Sequence, residues 1–261
     1  MSHQPRKRFG QHFLHDPGVI RRIVAAIAPQ PGDHLVEIGP GEGAITFELL
    51  RAIGRLDAVE LDRDLIEPLR ERSSGIGELV VHGADALRFD FCSLAAGDER
   101  LRLVGNLPYN ISTPLLFHLL DQSRCIRDMH FMLQKEVVER MAAEPGGKDY
   151  GRLSVMLQAR CAVIPLFSIG PGAFRPPPKV DSAVVRLVPL AMPPEIADQA
   201  VFARLVAAAF AQRRKTLRNG LKGLLSAEAI AALGIDPGVR AEQLPLADFV
   251  RLANSACKAV A

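Results

Sequence analysis

Between His34 and Leu133 the chain alternates short runs rich in Val, Leu and Ile with segments of helical periodicity, and this alternation constrains the fold more than any other feature. Strands separated by helices lie parallel, because a parallel connection needs a crossover long enough to hold a helix. A parallel sheet is covered on both faces, so its strands read as continuous apolar runs. Such runs occur near 34–39, 56–61, 79–82, 101–105 and 129–133, with helices expected near 43–53, 63–72, 113–121 and 135–143. A helix over 17–28 precedes them, with Asp16 placed to cap it and Pro17 at its first position. Two further β-rich runs, 162–169 and 182–188, are separated by a Gly/Pro loop, 170–179, and close the sheet. The fold class is therefore α/β.

Pro189, Pro193 and Pro194 make 188–195 a linker, since proline continues neither a helix nor an inner strand. Val201, Phe202, Leu205, Val206, Ala209 and Phe210 then recur at helical spacing, and the pattern stays helical to the end. The expectation is a main domain over 1–190 and a small all-helical domain over 191–261. With 48% hydrophobic residues the chain can bury a substantial core, and a net charge of +3 permits a polyanionic partner without demanding one. The charge is concentrated. Residues 203–227 hold Arg204, Arg213, Arg214, Lys215, Arg218 and Lys222 and no Asp or Glu, so they form either an ordinary solvated face or a phosphate-contact surface, to which Arg6–Arg8 and Arg21–Arg22 add. Cys92, Cys125, Cys161 and Cys257 are far apart with no CxxC pair, so neither a zinc site nor a disulfide is expected, and the histidines show no ligand spacing. No metal is assigned. No run approaches the roughly 20 apolar residues of a membrane span, and nothing resembles a signal core, which fits the cytoplasm.

Four segments carry candidate chemistry. Residues 36–43 (VEIGPGEG) read as a strand entering a glycine-rich turn and then a helix, where a ligand can lie against bare backbone; a plain strand-to-helix turn explains them equally well. Glu60 ends the second strand 21 positions after Gly39, where a carboxylate can accept from both ribose hydroxyls of a nucleoside. Asp62 and Asp64 beside it suit a helix start. Asp85 follows the third strand and can accept from an adenine amine or cap its own loop. Asn106-Leu107-Pro108-Tyr109 follows the fourth strand. An exocyclic adenine amine is a poor nucleophile because its lone pair is delocalised into the ring. Acceptors at the Asn106 side chain and the Leu107 carbonyl favour a tetrahedral nitrogen, Pro108 holds the bend, and Tyr109 can stack on an extruded base. In isolation these four residues read more readily as a turn after a strand.

In order and spacing the four segments resemble those of Rossmann-like class I adenine amino-methyltransferases. Residues 6–14 (RKRFGQHFL), 134–137 (QKEV), 150–155 (YGRLSV), 174–182 (FRPPPKVDS) and 210–218 (FAQRRKTLR) narrow the likeness to the KsgA/RsmA family of ribosomal RNA adenine dimethyltransferases, from about Arg6 to the C-terminus. That resemblance implies S-adenosylmethionine as cofactor, dimethylation of two adjacent adenosines in a hairpin near the 3′ end of 16S rRNA in the small subunit or its precursor, a role in ribosome biogenesis, and a monomer. Position by position it implies that His12 and Leu14 contact the cofactor, Gly39 its methionine end, Glu60 its ribose, Asp85 its adenine, and Asn106 the boundary with the target amine. Phe174 matches an aromatic that closes the target pocket opposite Tyr109; core packing is the competing reading, although a Gly/Pro-rich loop buries a large aromatic less easily. His12 stands where many members have Asn, so a main-chain contact there survives and a side-chain contact is altered. Arg213, Arg214, Lys215 and Arg218 fall to RNA contact. Two alternatives stay open: a ribosome-assembly factor acting mainly by binding, and a related large-subunit RNA or DNA adenine methyltransferase, the DNA type being expected to carry a larger recognition region.

Overall fold

The computed structural model describes residues 12–258, so Arg6, Lys7 and Arg8 lie outside the described residues. The order is β1 (Phe13–Leu14), α1 (Pro17–Ile27), β2 (Leu35–Ile38), α2 (Thr46–Ile53), β3 (Arg55–Glu60), α3 (Arg63–Ser73), β4 (Glu78–Gly83), β5 (Leu101–Asn106), α4 (Ser112–Asp121), β6 (Ile126–Gln134), α5 (Lys135–Ala142), α6 (Arg152–Gln158), β7 (Cys161–Ile169), β8 (Phe174–Arg175), β9 (Ser182–Pro189) and then α7 (Gln199–Phe210), α8 (Leu217–Gly220), α9 (Ala227–Ala232) and α10 (Leu246–Lys258). Seven strands form one sheet in the order β4-β3-β2-β5-β6-β9-β7. The pairs from β4 through β6 are parallel and β6–β9 is antiparallel. The alternating pattern thus gives the expected α/β sheet, and β2 is buried at all four positions, apolar except for Glu37.

The caps follow the sequence. Asp16 accepts from the N–H groups of Gly18 and Val19 and starts α1 with Pro17 in its first turn, and Asp62 accepts from the Asp64 N–H to start α3. At the start of β5 and β6, the edge of the sheet opposite the strands' C-terminal ends, the buried Arg102 guanidinium is shared between Asp128 (2.9 Å) and Asp33 (2.6 Å) and also donates to the Ile27 carbonyl. A charge so far from water persists because its donors meet carboxylates and carbonyls.

Two features depart from expectation. The two-residue strand β1 pairs antiparallel with β8, matching Leu14 with Phe174, and ties the segment before α1 to the 170–179 loop. Cys92 and Cys125 form a disulfide, which corrects the expectation of none. Their separation of 33 positions gives no sequence signal, and the bond exists because the turn after β4 and the turn after α4 meet in the tertiary fold.

The chain divides into two compact units, the first reaching to Val138 and taking in Ile164–Pro189, the second comprising Glu139–Val163 and the chain from Leu190 onward. In the first, Ile23, Ile27, Leu35, Leu49, Leu50, Leu56, Val104 and their neighbours pack α1 and α2 on the sheet. In the second, Phe202, Leu205, Val206 and Ala209 of α7 pack with Phe249, Leu252 and Ala253 of α10 and with Tyr150 and Val155, and the Tyr150 hydroxyl donates to the Leu244 carbonyl. No helix among the described residues is long and apolar enough to cross a membrane.

Candidate active site

The turns that leave the C-terminal ends of β2, β3, β4 and β5 converge on a cleft of about 1180 Å³ including its open mouth, lined among others by Gly39, Glu60, Asp85, Asn106 and Tyr109. This is the carboxyl edge of the sheet, where open parallel sheets place their ligands. His12, Leu14, Gly39, Glu60, Asp85, Asn106, Leu107, Pro108 and Tyr109, singled out across nearly a hundred positions of sequence, all line it.

The glycine-rich turn has the backbone it needs. Gly41 sits at φ +58° with the Phe13 ring 3.2 Å from where a Cβ would stand, and at Gly43, at φ +86°, a Cβ would lie 2.3 Å from the Phe47 ring. Any side chain would collide there or strain the backbone. Glu60, 6% exposed, accepts from the Gly41 N–H at 3.2 Å with Oε2 and from the Asp62 N–H at 2.8 Å with Oε1. Those donors orient the carboxylate and leave each oxygen with a free lone pair for a ligand hydroxyl. Burial raises its pKa, against the two backbone donors. Asp85 accepts from the Leu87 N–H at 3.0 Å with one oxygen, so it caps its loop, and its other oxygen has no partner among the described residues. The sequence left ligand and cap as rivals; the geometry lets one residue serve both.

Asn106 Nδ2 donates to the main-chain carbonyl of His12 at 3.0 Å. The amide is thereby fixed in one orientation, with Oδ1 free of any partner among the described residues. Leu107 continues the ladder through its N–H to the Met132 carbonyl at 3.2 Å, and its own carbonyl likewise has no partner among the described residues. Tyr109 is held at its rim: its hydroxyl meets the Ser182 hydroxyl at 2.7 Å, and its ring stacks at 5.8 Å on His12. Burial raises the Tyr109 pKa, so the phenol is neutral at physiological pH. The His12 ring donates from Nδ1 to the Pro176 carbonyl at 2.7 Å. The His12 contact that matters to Asn106 is therefore main-chain, and an imidazole in place of an amide leaves it intact.

Phe174 does not join the cleft. It is 2% exposed and packs with Leu14, Ile169, Met132 and Val184, which corrects the expectation that its loop would leave it accessible. Pairing with Leu14 across β1 and β8 turns that loop residue into a core residue. Sequence reasoning also passed over Glu37 and Leu61. Glu37 is fully buried at the cleft with Oε2 unpaired among the described residues, and Leu61 is 49% exposed immediately after Glu60. Neither carried a signal of its own, because the burial of Glu37 and the exposure of Leu61 are set by the tertiary fold.

The basic run splits. Arg213 donates to the Lys148 carbonyl and lies 3.9 Å from Glu242, so it is anchored within its own unit. Arg214, Lys215 and Arg218 are exposed with no ion-pair partner among the described residues. Main-chain bonds from Leu217 to Val239 and from Arg218 to Pro237 hold the segment that carries them. Among the described residues no group of His, Cys, Asp and Glu is arranged to hold a metal ion.

S-adenosylmethionine presents a ribose diol, an adenine amine and a cationic amino acid end. The oriented Glu60 carboxylate, the half-used Asp85 carboxylate, the bare turn at Gly39–Gly43 and the unpaired Glu37 oxygen match those groups in kind.

Comparison with known proteins agrees with that match. The model of the ribosomal RNA adenine dimethylase family matches residues 2–258. A ribosomal RNA small subunit methyltransferase A of Methylococcus capsulatus is 60% identical over 97% of this chain and 98% of its own length, and that of Pseudomonas aeruginosa is 61% identical over 97% and 95%. Among solved structures, a dimethyladenosine transferase from Plasmodium falciparum superposes with a TM-score of 0.80 at 26% identity over 95% of this chain and 98% of its own. The 23S rRNA methyltransferase ErmE superposes with a TM-score of 0.71 at 26% identity over 94% and 99%.

Proposed function

The chain belongs to the ribosomal RNA adenine dimethylase family, and we propose that this S-adenosylmethionine-dependent adenine dimethyltransferase acts on two adjacent adenosines in a hairpin near the 3′ end of 16S rRNA, in the small subunit or its precursor. The observation that carries the reading is the Asn106 amide, pinned by His12 so that Oδ1 and the neighbouring Leu107 carbonyl stand free at a cleft also lined by Glu60 and Asp85. The relatives at about 60% identity are small-subunit enzymes, which favours that particle over the large subunit.

S-adenosylmethionine supplies a methyl group made electrophilic by its sulfonium. Glu60 would hold the ribose, Asp85 the adenine and the turn at Gly39 the methionine end, with His12 and Leu14 lining the same cleft. Asn106 Oδ1 and the Leu107 carbonyl accept the two N–H bonds of the target amine. Those bonds favour a pyramidal nitrogen whose lone pair is no longer shared with the ring, and Pro108 keeps both acceptors in place. After the first transfer the nitrogen sheds one proton to solvent and keeps one N–H, so one acceptor remains engaged for the second. Tyr109 stacks on the extruded base. Phe174 supports this wall from the core. Arg214, Lys215 and Arg218 meet RNA phosphates from the second unit, and the enzyme works as a cytoplasmic monomer with a part in ribosome biogenesis.

The test offers unmodified small subunits, large subunits and duplex DNA to the enzyme and measures dimethyladenosine by mass. Modification of the small subunit alone is expected. Activity confined to large subunits or DNA would overturn the substrate assignment, and tight particle binding with no methyl transfer would favour a binding role.

A further inference from the structure

Tyr109 is half-exposed at the cleft, yet its hydroxyl is directed to a partner 73 residues away in sequence, the fully buried hydroxyl of Ser182 at the first position of β9. Ser182 is itself fixed, because β9 pairs with β6 through Ser182 and Gln134, and the Lys135 N–H donates to the Asp181 carbonyl beside it. The phenol is thus tied to the interior of the sheet while its ring remains available to the cleft. A tyrosine ring attached only through its own χ angles turns freely within its rotamer well, and a stacking face gains from being set in advance.

We propose that Ser182 is a positioning residue for methyl transfer: its hydroxyl locks the Tyr109 phenol so that the ring face meets the extruded adenine. The inference rests on the reading of Tyr109 as the residue that stacks on the target base. His12 bounds the same ring from the other side at 5.8 Å, so the ring is held by a hydrogen bond at its tip and by an aromatic neighbour along its face. Ser182 is absent from the cleft lining. Its effect is confined to the geometry of Tyr109.

The experiment is a two-residue cycle read in the full-length enzyme with unmodified small subunits. A neutral hydrogen bond of this kind corresponds to roughly a threefold to tenfold change. Ser182→Ala and Tyr109→Phe are each expected to lower kcat/KM for the particle by that factor, while the dissociation constant for S-adenosylmethionine stays within error and the unfolding midpoint falls by no more than the few degrees that one buried hydrogen bond supplies. The double variant is expected to be no worse than either single one, because both delete the same bond. Ser182→Thr, which keeps a hydroxyl, is expected to restore most of the rate. Fully multiplicative losses, or Ser182→Ala at the wild-type rate, overturn the proposal. Tyr109→Ala separates the two levels of argument. If it methylates normally, the stacking role itself is wrong; if it fails while Ser182→Ala is unaffected, stacking stands and only the role of Ser182 falls.

Discussion

The side-chain amide of Asn106 donates to the main-chain carbonyl of His12 across 94 positions of sequence, and this bond decides which end of the amide faces the cleft. A carbonyl accepts only, so the nitrogen must point to His12 and the oxygen must point away. The chemistry proposed for the target amine needs that oxygen.

Asn106→Ala is expected to cut single-turnover methylation by about 100-fold or more, the range seen when one preorganised polar group at a reacting centre is removed. Cofactor affinity should fall much less. Rapid-quench measurement with saturating cofactor checks the rate, and a wild-type rate would show that the amine is positioned by something else. Asn106→Asp offers an acceptor but no donor to His12, so it should lose both the oriented geometry and most of the rate.

Glu60→Ala is expected to weaken S-adenosylmethionine binding at least tenfold, from the roughly 1.5–3 kcal/mol carried by hydrogen bonds to a charged group. It also strands the Gly41 and Asp62 N–H groups that the carboxylate now satisfies. Calorimetric titration measures the constant, and an unchanged value would remove Glu60 from the cofactor site.

The strands β2, β3, β5 and β6 were legible because burial on both faces forces apolar runs, and a run reports burial without knowing its partner, while the edge strand β4 was legible from its short β-rich run although only Val81 in it is buried. Glu60, Asp85 and Asn106 were legible because each follows such a run, at the edge where parallel strands all end. What stayed hidden depends on pairs distant in sequence. Phe174 reads as a loop aromatic until Leu14 pairs with it, and Cys92 reads as a lone thiol until Cys125 arrives from beyond α4. Arg102 lies in a β-rich run with nothing in the local pattern to announce Asp33 and Asp128 as its partners.

Arg102→Met is expected to destabilise the protein by about 1–3 kcal/mol, since it removes the central cation and leaves Asp128 with Arg186 at 3.0 Å and Asp33 with Arg127 at 2.9 Å as their remaining partners. Against the penalty of burial, Arg102 and Arg186 hold the Asp128 pKa below the usual carboxylate range, and the Gln30 N–H, Arg102 and Arg127 do the same for Asp33. Their contribution is present above the ordinary carboxylate pKa and is lost as pH falls through the lowered values. Denaturant unfolding should therefore show a smaller deficit for the variant in strong acid than at pH 7; an equal deficit at both would contradict the charge argument.

Glu37 works in the opposite sense. Burial, reinforced by the Glu60 carboxylate, raises its pKa from 4.5 to about 7. The folded state therefore binds a proton that the unfolded chain has released, and stability from this group is complete below pH 4.5 and declines up to about pH 7. The decline amounts to about 3 kcal/mol at most. Glu37→Gln should flatten the profile of the ligand-free protein over that window and gain stability at pH 8. Parallel profiles for the two proteins would show that Glu37 ionises normally.

Arg214, Lys215 and Arg218 are exposed cations of the second unit with no ion-pair partner among the described residues. If they meet phosphates, neutralising all three should weaken binding to the ribosomal particle and flatten the slope of log affinity against log salt by roughly 0.7–0.9 for each phosphate no longer neutralised. Cofactor affinity should not move, because Gly39, Glu60 and Asp85 belong to the first unit. Arg213 serves as the internal control. Its guanidinium donates to the Lys148 carbonyl and lies near Glu242, so Arg213→Ala should flatten the salt slope less than removal of Arg214, Lys215 or Arg218, with little change in the unfolding midpoint because both contacts are exposed. The competing account is that all four residues merely solvate the surface of a helical unit whose apolar residues fill its own core. It requires the triple variant to bind with unchanged affinity and slope at every salt concentration. Titrating both variants against unmodified small subunits across a range of salt separates the two accounts, because only phosphate binding makes the slope depend on which arginine is removed.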